Sequence, residues 1–109
     1  RRPAERDLAY AARLHAALVG GDFAYDVAAT DGALHLLPTA IFELGRGDCT
    51  AFNAGFVYAL RAACVPARLC LGMKFGAAVE AACGAAAASH ARSEFYAEGV
   101  GWVPCDATG

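Results

Sequence analysis

The apolar segment at residues 49–63 limits the folds open to this chain more than any other feature. If this segment is helical, its large apolar side chains surround most of the helix: Phe52, Phe56, Val57 and Leu60. A helix that is apolar on nearly all sides must be enclosed by the rest of its domain. Arg61 and Asn53 are the two residues of this segment whose side chains are expected to face water. The sequence therefore predicts a central buried helix with the other elements packed around it.

The two ends of this helix are also marked in the sequence. Asp48 is a preferred N-cap residue, so Cys49 is expected at the first helical position, where free N–H groups and the helix dipole favour a thiolate. Pro66 ends the helix because proline disfavours helical geometry in the residue before it. Cys64 is then expected in the left-handed conformation that usually belongs to glycine, at a cost of about 1 kcal/mol.

The remaining segments predict shorter elements. Residues 3–19 have the apolar spacing of a helix that is stopped by two glycines, and residues 38–44 suit a short helix begun by a proline. Residues 23–25 alternate like a short strand or extended arm, and residues 67–75 are an apolar run of strand length. The Ala-rich residues 76–89 fit either a short helix or a loop.

The clearest strand pattern is a hairpin near the end of the chain. Residues 90–96 alternate with a period of two, a Gly-containing turn follows, and residues 102–106 return as a second strand. If paired residue numbers sum to about 198, Asp106 lies opposite Arg92 and diagonal to His90, with backbones roughly 7 to 8 Å apart. The side chains of His90 and Asp106 are then expected to meet.

Composition narrows the functional classes. The chain has 109 residues, of which 58% are hydrophobic and 18% charged, enough for a single domain with a substantial core. Its net charge of -2 and lack of a basic block predict no nucleic-acid partner. No apolar run reaches the roughly 18 residues of a membrane span. Because the chain begins at Arg1 without Met, we expect a domain excised from a longer protein with flanking domains.

The cysteines are odd in number and include no C-x-x-C pair: Cys49, Cys64, Cys70, Cys83 and Cys105. This pattern argues against a structural zinc site and against a complete disulfide framework. At least one thiol is expected to be free, and unpaired cysteines favour a cytoplasmic location. Those other than Cys49 are expected to be small buried apolar residues.

Three residues form a candidate catalytic group. Cys49 lies beside the carboxylate of Asp48, which opposes a thiolate, so a nucleophilic role requires a histidine partner. Together, Cys49, His90 and Asp106 supply a nucleophile, a base and a carboxylate that orients the base. The other two histidines, His15 and His35, receive no predicted role.

Four separated stretches resemble the transglutaminase-like superfamily. In chain order they are Gly47-Asp48-Cys49-Thr50, residues 60–68 (LRAACVPAR), His90-Ala91, and residues 101–108 (GWVPCDAT). The resemblance spans residues 23–108 and implies an α+β, papain-like core. In that core, a central buried helix that starts at the nucleophile packs on a small antiparallel sheet. The resemblance also implies a Cys-His-Asp triad at Cys49, His90 and Asp106, and acyl transfer from an amide without a metal or other cofactor.

The resemblance predicts a thiol-dependent amide hydrolase or acyltransferase that acts on a peptide or protein amide through a thioester. Transglutaminase-type cross-linking and a non-catalytic binding domain that retains the triad remain alternatives. Arg92 stands where the family often has Trp and is a candidate to contact an acidic substrate. Tyr25 is a candidate second donor to the oxyanion. The tripeptide Arg46-Gly47-Asp48 is one that adhesion receptors recognise, but here it leads directly into the helix as a turn and cap.

Overall fold

The computed structural model describes residues 4–26, 37–74 and 88–109. Within these ranges the chain forms three helices, α1 (Ala4–Gly20), α2 (Ala40–Leu44) and α3 (Cys49–Ala62). The strands of the same ranges are β1 (Ala24–Tyr25), β2 (Arg46–Gly47), β3 (Ala67–Lys74), β4 (Ala88–Ala97) and β5 (Gly101–Cys105). The predicted α+β class with a small antiparallel sheet is confirmed. His35, Cys83 and most of the Ala-rich stretch lie outside the described residues.

The antiparallel sheet has the strand order β3-β4-β5. In the hairpin of β4 and β5, Ser93 pairs with Cys105 and Phe95 with Val103, so paired residue numbers sum to 198 as predicted. Because of this register, Asp106, the first residue after β5, lies beside the part of β4 that carries His90.

Helix α3 packs on one face of this sheet. Buried and exposed residues alternate along β4, and the buried ones are Ala91, Ser93, Phe95 and Ala97. The rings of Phe56 and Phe95 meet edge to face, with centroids 6.5 Å apart. On another side of the helix, a Cβ atom at Gly55 would overlap Ile41, so glycine is what allows α2 to approach α3. Apolar contacts from several elements thus enclose α3.

Asn53 corrects one expectation from the sequence. The sequence predicts that the Asn53 side chain faces water, but this side chain is completely buried between α3 and the sheet. Burial of an amide is tolerated when its hydrogen-bonding groups find partners, and the side chain of Asn53 finds them on three elements. Those partners are distant in sequence, so the apolar pattern of the helix does not reveal them.

Both ends of α3 have the predicted geometry. At the start, the Oδ1 atom of Asp48 accepts a hydrogen bond from the Ala51 N–H at 2.9 Å. At the end, Cys64 has a φ of 66°, in the left-handed region. The N–H groups of Cys64 and Val65 donate to the carbonyls of Arg61 and Leu60, each at 2.9 Å, which is the Schellman pattern.

The short parallel pair of β1 and β2 lies at the start of α3. The Ala24 N–H donates to the Gly45 carbonyl at 2.9 Å, and the Asp26 N–H donates to the Gly47 carbonyl at 2.8 Å. Gly47 is buried, and Asp48 caps the helix. The Arg-Gly-Asp tripeptide is therefore part of a strand and a helix start and does not form the tip of an exposed loop.

Helix α1 packs against α3 and β4, with Ala11 and Leu18 in the core. His15, on the same helix, is partly buried. No helix in the described part of the chain has the length and apolar character needed to cross a membrane.

The left-handed cysteine gives a stability prediction. Cys64→Gly should raise the free energy of unfolding by about 1 kcal/mol, because glycine adopts a positive φ without the steric cost of a Cβ atom. The measurement is chemical denaturation under reducing conditions. The control is Ala63→Gly, since the φ of Ala63 is -92° and glycine gains nothing there. Equal effects of the two substitutions would contradict the strain at Cys64.

Candidate active site

Cys49 is the first residue of α3, and its sulfur is directed towards β4. The Ala91 N–H donates to the Cys49 Sγ at 3.4 Å, and the Asn53 amide donates to the Cys49 carbonyl at 2.9 Å. Ala91 follows His90 in the chain. The cap at Asp48 fixes where the helix begins, and the contact with Ala91 brings that helix end beside the predicted base.

His90 and Asp106 form a short hydrogen bond, with the Nε2 atom of His90 2.6 Å from the Oδ2 atom of Asp106. The two side chains are 19% and 29% exposed, so the pair is largely shielded from water. Hydrogen bonds in which one partner is charged are shorter and stronger than neutral ones. The meeting of these two side chains was predicted from the hairpin register.

The environment of Asp106 favours its ionised form. Burial alone raises the pKa of this carboxyl, but hydrogen bonds from Thr108, His90 and Asn53 outweigh burial and hold the pKa well below its ordinary value. Thr108 supplies two of these bonds to Oδ1, from its hydroxyl at 2.6 Å and from its N–H at 3.0 Å. Asp106 is therefore a carboxylate at neutral pH.

The charge of Asp106 determines how the proton is placed on His90. A carboxylate only accepts hydrogen bonds, so the Nε2 atom of His90 must carry the proton that it donates to Asp106. In the neutral ring, Nδ1 is then the nitrogen with the free lone pair. This is the arrangement required of a general base.

A cavity of about 430 Å³ opens over Cys49 and His90. Its walls come from the start of α3 and from β1, β3 and β4, and it is lined by Tyr25, Asp48, Cys49, Thr50, Leu71, Gly72, His90 and Ala91. The thiol and the imidazole therefore share one solvent-accessible space of the size of a ligand site.

The two predicted substrate contacts lie in different places. Tyr25 lines the cavity, and partial burial together with the neighbouring Cys49 raises the pKa of its phenol. Arg92 is exposed on the same face of β4 as His90, but it pairs with Glu94 at 3.1 Å and is not among the residues that line the cavity. The structure brings Tyr25 to Cys49 and directs Arg92 towards Glu94.

Three residues at this site were missed by the sequence analysis. Thr108 binds the carboxylate of Asp106, Asn53 donates to the same carboxylate at 3.2 Å, and His15 of α1 donates from Nε2 to the Asp106 carbonyl at 2.8 Å. Asn53 lies one helical turn after Cys49, a spacing that could have drawn attention to it. The contact between His15 and Asp106 joins residues near opposite ends of the chain, so no local sequence pattern predicts it.

The described cysteines are all free thiols: Cys49, Cys64, Cys70 and Cys105. The expectation that those other than Cys49 are buried is wrong for the three described, since Cys64 is exposed and Cys70 and Cys105 are partly exposed. Cys105 precedes Asp106, and burial together with that carboxylate raises the pKa of its thiol. In residues 4–26, 37–74 and 88–109, no group of three or more His, Cys, Asp or Glu side chains is arranged to hold a metal ion.

Comparison with known proteins assigns the family. The sequence model of the transglutaminase-like superfamily matches residues 1–107. The chain belongs to the transglutaminase-like superfamily. An uncharacterized protein of Haemophilus influenzae is 40% identical over 76 residues, which cover 56% of this chain and 21% of that protein.

Solved structures agree with this assignment. The periplasmic domain of TgpA from Pseudomonas aeruginosa is similar with a TM-score of 0.74 and 26% identity, over 94% of this chain and 36% of that domain. The same domain bound to ethylmercury gives a TM-score of 0.63 and 23% identity, over 98% and 45% of the two chains. This transglutaminase-like chain thus spans less than half the length of the solved domains.

The ionised state of Asp106 predicts a pH-dependent stability difference. Asp106→Asn should lower the free energy of unfolding at neutral pH by about 1 to 2 kcal/mol, because it weakens the bonds that the carboxylate accepts. The pKa is depressed in the folded state, so this stabilisation is full above the unfolded-state pKa of about 3.9 and is lost as pH falls below it.

The measurement is denaturant unfolding of both proteins at a series of pH values. The difference between them should be constant near neutral pH and should shrink below about pH 4. A difference that grows on acidification would show that the Asp106 carboxylate does not stabilise the folded state.

Proposed function

We propose that this chain contains a thiol-dependent acyl-transfer site in which Cys49 is the nucleophile, His90 is the general acid and base, and Asp106 orients His90. The observation that carries the proposal is the 2.6 Å bond between His90 and Asp106, formed beside a thiol that lines the same cavity as His90. Each residue type matches its role in triad chemistry, and membership of the superfamily supports the same assignment.

In the first step, the Nδ1 atom of His90 takes the proton of the Cys49 thiol, and the sulfur attacks the carbonyl carbon of a substrate amide. The S–C bond forms, and the carbonyl oxygen becomes an oxyanion. The Cys49 N–H, at the open end of α3, is one donor placed to stabilise that charge. Tyr25 is the candidate second donor, since its phenol lines the same cavity as Cys49 and its O–H can donate a hydrogen bond.

In the second step, the C–N bond breaks, and the amine leaves with the proton held by His90. A thioester between Cys49 and the acyl group remains. His90 then takes a proton from a water whose oxygen forms a bond to the thioester carbonyl carbon. The C–S bond breaks, His90 returns the proton to the sulfur, and the acid departs. Throughout the cycle, the Asp106 carboxylate stabilises the imidazolium form of His90.

The proposed substrate is a peptide or protein amide, and we favour water over an amine as the acceptor. Hydrolysis needs no second substrate site beside the cavity at Cys49. Attack by a lysine amine on the same thioester would give transglutaminase-type cross-linking, and a domain that binds substrate without turnover would retain the same residues. Arg92 is proposed to contact acidic groups of a substrate that extends beyond the cavity.

Selective alkylation tests the nucleophile. At about pH 6, iodoacetamide should modify Cys49 at least about tenfold faster than Cys64, Cys70 or Cys105, because Cys49, unlike these three, lies beside the proposed base at a helix N-terminus. The measurement is peptide mass spectrometry over time. Cys64 is the stringent control, since it is the exposed thiol among those described. Equal rates at Cys49 and Cys64 would contradict an activated nucleophile.

Trapping of an acyl-enzyme tests the reaction itself. Incubation with a peptide library should add an acyl mass to Cys49, and none should appear on Cys49→Ala. His90→Ala should slow acylation by roughly 10²- to 10⁴-fold, the contribution typical of a general base. The matched control is Tyr58→Ala, since Tyr58 is exposed on α3 and does not line the cavity. Undiminished acylation in His90→Ala would remove His90 from the mechanism.

A further inference from the structure

Asn53 is a completely buried polar residue that contacts two residues of the proposed triad, Cys49 and Asp106, and the neighbour of the third, Ala91. Its Nδ2 atom lies 2.9 Å from the Cys49 carbonyl, 3.0 Å from the Ala91 carbonyl and 3.2 Å from the Asp106 Oδ1 atom. Its Oδ1 atom accepts from the Ser93 hydroxyl at 2.7 Å and from the Ala107 N–H at 2.9 Å. No hydrogen-bonding atom of this side chain is left without a partner.

These partners determine the orientation of the amide. The Ala107 N–H can only donate, so the atom that faces it must be the Asn53 oxygen. The Cys49 and Ala91 carbonyls can only accept, so the atom that faces them must be the nitrogen. A reversed amide would place the Asn53 NH₂ group against the Ala107 N–H. It would also place the Asn53 oxygen against the two carbonyls and the Asp106 carboxylate, none of which can donate. The side chain is thus held in a single orientation by groups on α3, on β4 and in the turn after β5.

The position of each partner relates Asn53 to the triad. The Cys49 carbonyl belongs to the nucleophile itself, the Ala91 carbonyl follows His90, and the Asp106 Oδ1 atom is the carboxylate oxygen that does not face His90. Thr108 also holds that oxygen, but it is only two residues from Asp106 and contacts neither Cys49 nor Ala91 through the bonds described. The Asn53 side chain is therefore a link between the carboxylate and the helix that carries the thiol.

From these contacts we infer that Asn53 is a positioning residue of the triad, a role that rests on the proposed function. It fixes the rotamer of Asp106, and through Asp106 the ring of His90, and it sets the start of α3 against β4. Asn53 contacts no reacting atom. Its effect is to keep the imidazole and the thiol in one relative arrangement, as precise positioning of catalytic groups requires.

The test uses Asn53→Asp, which preserves the shape of the side chain. When the new carboxyl is protonated, it has one O–H donor to offer to Asp106, but when it is ionised it places a second negative charge against that carboxylate. The alkylation rate of Cys49 by iodoacetamide, relative to wild type, should therefore fall by about tenfold as pH rises from about 5 to 9. Loss of structure would instead expose the other thiols, so a rise with pH in the alkylation rates of Cys70 and Cys105 would identify unfolding as the cause and count against the positioning role.

Two further variants keep the test informative if Asn53→Asp folds poorly. Ser93→Ala removes one donor to the Asn53 oxygen and should slow Cys49 alkylation by roughly two- to fivefold. Val65→Ala is the matched control, because it weakens the apolar core beyond the C-terminal end of α3, at the end away from Cys49, and leaves every bond of the amide in place. Its folded form should alkylate at the wild-type rate. Equal slowing in Ser93→Ala and Val65→Ala would overturn the positioning role.

A second readout separates this inference from the proposed function. The Nε2 proton of His90, in its short bond to Asp106, should give a downfield proton NMR signal that weakens or shifts in Asn53→Asp. If Cys49 of the wild type alkylates no faster than Cys64 but the His90 signal responds to Asn53→Asp, the proposed function fails and the positioning role stands. The opposite result would overturn the positioning role. In that case, Cys49 of the wild type alkylates fast, but Asn53→Asp changes neither the pH dependence of the alkylation rate nor the NMR signal of His90.

Discussion

The burial of α3 against β4 is the interaction on which the rest of the structure depends. Apolar side chains such as Phe56 and Phe95 fill the interface between helix and sheet. That packing fixes the rotation of the helix, and the cap at Asp48 fixes where the helix begins. With both set, the Cys49 sulfur has one position relative to the strand that carries His90. The contact between the Cys49 sulfur and β4 thus follows from the formation of the core.

The hydrogen bonds of Asn53 and Asp106 fix distances and directions at the site that apolar packing alone leaves undefined. Apolar contacts tolerate small shifts, whereas hydrogen bonds demand defined distances and directions. The amide of Asn53 supplies them inside the core, and the bonds to Asp106 from Thr108, His90 and Asn53 keep a half-buried carboxylate ionised. Because Asp106 stays charged, His90 is held in the tautomer whose Nδ1 atom can take a proton. The ionisation of Asp106 and the tautomer of His90 therefore depend on the contacts among α3, β4 and the turn after β5.

Sequence-based prediction succeeded where the pattern is local. The extent of α3, the cap at Asp48, the left-handed Cys64 and the register of the β4–β5 hairpin all depend on residues within a few positions or on simple strand alternation. The register was the most useful of these, because it predicted the contact between His90 and Asp106. Asn53 was misjudged because burial of an amide depends on partners 38 and 54 residues away.

The sequence alone therefore determined most elements of this transglutaminase-like chain and the meeting of His90 and Asp106, since periodicity, capping and turn chemistry act over short separations. Tertiary structure decided the rest. Only the packed chain brings the Ala91 N–H to the Cys49 sulfur, Asn53 to Asp106 and His15 to the turn after β5. These contacts join residues far apart in the chain, and their free energy is gained only when the elements close around a common core.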